Sequence, residues 1–255
     1  MISYIFFYLF VSVLANDKSN EIKSRIFYGE SVKIEDYPFY AGLANCGAAI
    51  LSDVWILTAA HCVVRVPRLA NYVWVGGESY ANSKKVTYNQ VIVHHKYKYD
   101  NIIPLHDVAL IKLSEPLELS EKVKPIKLPS TQSTGTKIAL VGRGVDETNH
   151  ISENLKKLDL VRLSPEQCLT YIPFDPILYN IVKQNLKFFG KAIICAKREE
   201  DLPSICQGDS GSPLFSNDTL IGLASFGGPE CAENRLGFYV NVQSYVPWIK
   251  QHTGL

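Results

Sequence analysis

Three frames hold side chains of a kind that can act together. "LTAAHC" (57–62) presents His61 beside a cysteine, "HDVALIKL" (106–113) puts Asp107 at the head of an apolar run, and "GDSGSP" (208–213) sets Ser210 in a glycine-rich turn. A serine hydroxyl attacks an amide carbonyl only if a base takes its proton, a carboxylate orients that base, and fixed donors meet the oxyanion. Each frame alone has an ordinary reading: an exposed histidine, a turn-forming aspartate, a loop serine. In this order along one chain, the three specify nucleophilic acyl transfer.

Such groups need a rigid support, and the sequence supplies strands. "KVTYNQVIV" (85–93), "DVALIKL" (107–113), "KIALVG" (137–142), "LIGLASFGG" (220–228) and "GFYVNV" (237–242) are rich in β-branched and aromatic residues and bounded by turn formers. Short strands of this kind predict antiparallel sandwiches or barrels rather than βαβ units. One segment reads clearly as helix: Tyr245, Trp248, Ile249 and His252 share a face at i, i+3, i+4 and i+7. Residues 169–194 mix turn prolines with a short helical pattern.

With 255 residues, 47% apolar and 20% charged, the chain can bury a large core. Its net charge of +1, with scattered Lys and Arg, excludes the basic footprint of nucleic-acid binding. Met1–Ala15 is apolar and shorter than the ~20 residues of a spanning helix. It reads as a signal peptide with Val13-x-Ala15 as the cleavage site, although no Lys or Arg precedes the apolar run. A retained anchor is the alternative. The expected location is secreted and extracellular, with no membrane contact once the signal is removed. Six cysteines suit an oxidising compartment but leave many pairings open. No pair at zinc-site spacing occurs, and neither a metal nor a cofactor is expected.

From Ile26 onward these frames resemble the trypsin/chymotrypsin family of secreted serine endopeptidases. The resemblance implies an all-β fold of two packed antiparallel six-stranded barrels with a C-terminal helix. It divides the chain into a signal peptide (1–15), an activation propeptide (16–25) and a protease domain (26–255). Within that domain the first barrel takes about 26–127, the second about 128–243 and the helix about 244–253. It implies Ser210 as nucleophile, His61 as general base and then acid, and Asp107 as the group holding the imidazole. Backbone N–H groups of Gly208 and Ser210 would form the oxyanion hole. Three disulfides are implied: Cys46–Cys62, Cys168–Cys195 and Cys206–Cys231. Activation would cut between Arg25 and Ile26, and the new Ile26 amine would pair with Asp209.

The resemblance assigns the floor of the primary specificity pocket to Ser204 and its walls to Gly227 and Gly237, with Ser225 beside them supporting Asp107. An uncharged floor predicts cleavage after large apolar or aromatic residues. Trypsin-like specificity and a non-catalytic binding homologue are the alternatives. Expected partners are protein or peptide substrates, an activating trypsin-like protease and protein inhibitors, with the chain itself a monomer. Asn217, in the sequon "NDT", is a glycan acceptor by pattern. The chain departs from the family pattern at Phe27 and Tyr28, at Arg143 in "GRG", at Ser212, at Phe226, and in the long stretch between Cys168 and Cys195.

Overall fold

The computed structural model describes residues 29–64, 71–99, 103–130, 135–146, 150–172, 176–200, 204–228 and 235–255. In chain order the elements open with β1 (Glu30–Ser31), β2 (Tyr40–Leu43), β3 (Cys46–Ile50), β4 (Trp55–Thr58) and α1 (Ala60–Val64). There follow β5 (Tyr72–Val75), β6 (Lys84–Val93), β7 (Lys98–Tyr99), β8 (Pro104–Leu105) and β9 (Ala109–Leu113). The second half holds β10 (Lys137–Gly142), β11 (Lys156–Leu163), α2 (Pro165–Thr170), α3 (Pro176–Gln184), α4 (Leu186–Ala192) and β12 (Ile193–Lys197). β13 (Pro213–Ser216), β14 (Thr219–Gly227), β15 (Leu236–Asn241) and α5 (Val246–Thr253) complete it.

The first barrel closes in the order β2-β3-β4-β9-β6-β5. The second runs β11-β10-β13-β14-β15-β12 and closes through β11–β12, so both are six-stranded. β1 adds to the outer edge of β11, with Glu30 opposite Lys157. Residues 30–31, expected to lie within the first barrel's stretch, therefore pair with the second.

Alternation along each strand explains why the strand sequences look apolar on both sides. In β10, Ile138 and Leu140 fill the second barrel. Their neighbours Ala139 and Val141 face the other way, into the cluster between the barrels. In β2, Ala41 and Leu43 fill the first barrel while Tyr40 points to the same shared cluster. Phe215 seals that joint against Phe39 and Tyr37, with ring centroids 5.2 and 5.5 Å away. Burying both strand faces gives each barrel its own core and adds a third apolar cluster between them.

The stretch 165–192 is more helical than its prolines suggest. Ser164 starts α2 through a reciprocal cap: its hydroxyl accepts from Gln167 N (3.2 Å) and Gln167 Oε1 accepts from Ser164 N (2.9 Å). Pro165 and Pro176 stand at the first positions of α2 and α3, where a missing N–H costs nothing. Val182 and Phe189 then bury against Ile103, Leu236 and Phe238. The C-terminal helix α5 buries Ile249 on its core face and ends at Gly254, whose φ of 77° is left-handed. No helix among the described residues is long and apolar enough to cross a membrane.

Candidate active site

β4 delivers the chain to α1, which carries His61, and the Cys46–Cys62 disulfide ties α1 back to the start of β3. Asp107 enters β9 from the other side, straight after His106, a residue strained at φ 51°. The two meet closely. Asp107 Oδ2 accepts from His61 Nδ1 at 2.7 Å and Oδ1 accepts from the His61 backbone N–H at 2.9 Å. Ser225, on β14 of the other barrel, donates its hydroxyl to Asp107 Oδ2 at 2.6 Å. Asp107 is 1% exposed and the His61 side chain 20%. A carboxylate accepting from three donors draws the ring proton to Nδ1 and leaves Nε2, 3.8 Å from Cys62 Sγ, as the acceptor nitrogen.

Ser210 sits on the turn between Cys206 and Pro213. Gly211 N donates to Ala224 O and Ser212 N to Asp209 O, while Ser210 O accepts from Gly47 N at 2.7 Å. Gly211, at φ 76°, has no room for a Cβ, which would strike Gly47 O and Thr58 Oγ1. That contact brings the serine turn within touching distance of the strand end leading to His61. Among the described residues no hydrogen bond joins His61 Nε2 to Ser210 Oγ; such bonds tighten when substrate arrives. Gly208 has φ 91°, so only glycine takes its place without strain. Among the described residues, the N–H groups of Gly208 and Ser210 have no acceptor. Two free donors flanking a hydroxyl are what a developing oxyanion requires.

Asp209 between them is fully buried. Its oxygens accept from Gly144 N (2.9 Å) and Cys206 N (3.0 Å). Burial nonetheless pushes its carboxyl up to about 7, against the pull of those N–H groups and of the Lys156 charge. Its expected partner Ile26, the cut residue Arg25, and Phe27 and Tyr28 all lie outside the described residues.

Ser204 is buried and its Oγ lies 3.3 Å from the Tyr239 hydroxyl. Gly227 and Gly237 face each other across β14 and β15. The room left by Gly237 is taken by Tyr239: a Cβ there would come within 2.5 Å of its hydroxyl oxygen. Tyr239 was not singled out from sequence, yet it stands two residues after Gly237 on the same strand face, and that spacing is the signal. Ile205, also buried, joins the core of the second barrel. Cys168–Cys195 ties α2 to β12, and Cys206 is disulfide-bonded, its expected partner Cys231 being outside the described residues. Phe226 stacks on Phe238 at 4.5 Å. Ser212 is wedged where Gly47 and Gly142 lack side chains, and its hydroxyl has no partner among the described residues.

A model of the Trypsin family matches residues 26–249. The chain belongs to that family, which is one of serine endopeptidases. Anionic trypsin of Canis lupus familiaris is 33% identical over 82% of this chain and 80% of its own length. The clotting factor G beta subunit of Tachypleus tridentatus is 31% identical, covering 90% and 80%. Trypsin 5G1 of Aedes aegypti is 29% identical over 91% of this chain and 86% of that one. Among solved structures, neuropsin, a serine protease expressed in the limbic system of mouse brain, superposes with a TM-score of 0.72 at 26% identity, covering 88% of this chain and 97% of that one.

Proposed function

We propose that this family member is a secreted serine endopeptidase that uses Ser210, His61 and Asp107, and that it cleaves after large apolar or aromatic residues. The observation carrying the catalytic part is the His61 ring held at 2.7 Å by a buried Asp107 beside a turn whose Gly208 and Ser210 N–H groups meet no acceptor among the described residues. His61 Nε2 takes the Ser210 proton as Oγ bonds to the carbonyl carbon. The Gly208 and Ser210 N–H groups receive the oxyanion. Asp107 and Ser225 steady the imidazolium, which then gives its proton to the leaving amine. Water enters by the same route in reverse and frees Ser210.

The preference rests on Ser204. A pocket floor of two neutral hydroxyls, Ser204 and the buried Tyr239, offers no counter-charge to Arg or Lys. Activation follows from Asp209: a buried carboxyl held near neutrality gains from a cation, and cutting after Arg25 releases the Ile26 amine to supply one. Signal removal at Ala15, domain limits of 16–25 and 26–255, and a glycan on exposed Asn217 at the β13–β14 turn complete the reading.

Expressed with Arg25–Ile26 intact and then cut by trypsin, the chain is expected to hydrolyse peptide anilides after Phe, Tyr or Leu and to be labelled at Ser210 by an organophosphonate. No labelling after the cut rejects the enzyme. Preference for Arg rejects the pocket assignment and favours the specificity named in two of its relatives.

A further inference from the structure

Arg143 is 1% exposed, and its Nε and Nη1 have no acceptor among the described residues. No carboxylate there lies within ion-pair distance of it. Its company is aromatic instead. The guanidinium carbon is 4.2 Å from the Tyr80 ring centre and 5.1 Å from that of Tyr40, both on the first barrel. Nη2 lies over Gly42, where a methyl group would come within 3.1 Å of it. The Tyr80 ring is itself fixed, its hydroxyl donating to Leu43 O at 3.1 Å and Trp74 backing it at 4.6 Å.

The main chain around this side chain runs along the oxyanion turn. Gly144 N donates to Asp209 Oδ1, and Val145 N donates to Gln207 O at 2.8 Å. A Cβ on Gly208 would sit 3.1 Å from Gly144 Cα and 3.4 Å from the Arg143 carbonyl oxygen. Residues 143–145 are thus a rail for residues 207–209.

We propose that Arg143 is a positioning residue. Its cation, gripped by two tyrosine rings of the first barrel, sets the rail that aims the Gly208 and Ser210 N–H groups of the second. The inference rests on the proposed oxyanion role of those two groups. An ordinary packing role does not explain the charge. A buried guanidinium with two unpaired donors costs stability that an apolar chain of equal length avoids. What the charge adds is attraction to ring faces, strongest when water is excluded.

The test uses the full chain, cut after Arg25. First, a burst of p-nitrophenol from an activated p-nitrophenyl ester establishes the acyl-enzyme in the wild type; without that burst and without organophosphonate labelling of Ser210 the function proposed above fails, independently of Arg143. With the burst present, Arg143→Met is expected to lower kcat by about tenfold or more, the scale of a misplaced catalytic group. KM should stay within about twofold, because the oxyanion forms only in the transition state. Thermal stability should be equal or higher, and Arg143→Lys, which keeps a cation, should recover part of kcat. Tyr80→Leu should lower kcat likewise and Tyr80→Phe, which keeps the ring, should restore most of it. This pair decides the matter if Arg143→Met fails to fold. Wild-type kcat in Arg143→Met, or equal kcat in the two Tyr80 variants, overturns the proposal.

Discussion

At the residue scale, charge-assisted contacts dominate the site. Ser225 donates at 2.6 Å to a carboxylate oxygen that also holds His61. Ser225→Ala is expected to lower kcat by about tenfold to a hundredfold, the worth of a hydrogen bond to a charged group, with KM little changed in steady-state assays. Ser212 behaves oppositely. Its buried hydroxyl has no partner among the described residues, so Ser212→Ala should stabilise the fold by about 1 kcal/mol in denaturant titrations and leave turnover intact. His61, Asp107 and Ser210 stand out as candidates in the sequence because each sits in a short frame whose neighbours are also diagnostic. Tyr239 and the Arg143 clamp do not. The signal for Tyr239 is only its two-residue spacing from Gly237, and the rings that hold Arg143 come from the other barrel, where no local frame contains them.

At the element scale, strands were easier to read than helices. The apolar runs at 137–142 and 85–93 match β10 and β6 within one residue. Within 169–194 the sequence shows only a short helical pattern among turn prolines, whereas the structure has three helices over 165–192; Ser164 and Gln167 spell a capping box and proline suits a helix start. A second element-level property concerns the end of β6, where His94 stacks on His95 and His106 and meets Tyr245 and Trp248 near α5. Desolvation, with the neighbouring His106, His95, Lys96 and His252, pushes His94 down to about 4, and burial lowers His106 too. A depressed histidine supports the fold fully above its unfolded value near 6.5 and loses that support as pH falls through about 4. His94→Gln is therefore expected to flatten the fall in melting temperature between about pH 6.5 and 4.

At the scale of the whole molecule, Asp209 pulls the other way. Its raised value makes its contribution full below about 4 and lost as pH rises through about 7. Uncut chains should lose melting temperature across that window. Cutting after Arg25 should remove the slope by placing an amine beside the carboxylate, and Asp209→Asn should remove it without cutting. Scanning calorimetry of the three forms between pH 4 and 8 checks both statements. The joint between barrels is equally consequential. Phe215→Ala, at the Phe39 and Tyr37 contact, should cost about 3–5 kcal/mol. Two barrels were foreseeable from the family pattern. Their stitching by β1 was not, since nothing in "ES" at 30–31 announces a partner on β11.

That two-residue strand carries a consequence for biosynthesis. Glu30 and Ser31 leave the ribosome ahead of the entire first barrel, and their mates Lys156 and Lys157 are translated only after it is finished. Vectorial folding can complete the leading half early, but it must hold this strand open-edged until the trailing half arrives. This pairing, a few residues downstream of Arg25–Ile26, thus waits for the chain to be made past Lys157. A nascent chain cut there earlier would carry a new end whose first strand still lacked its partner.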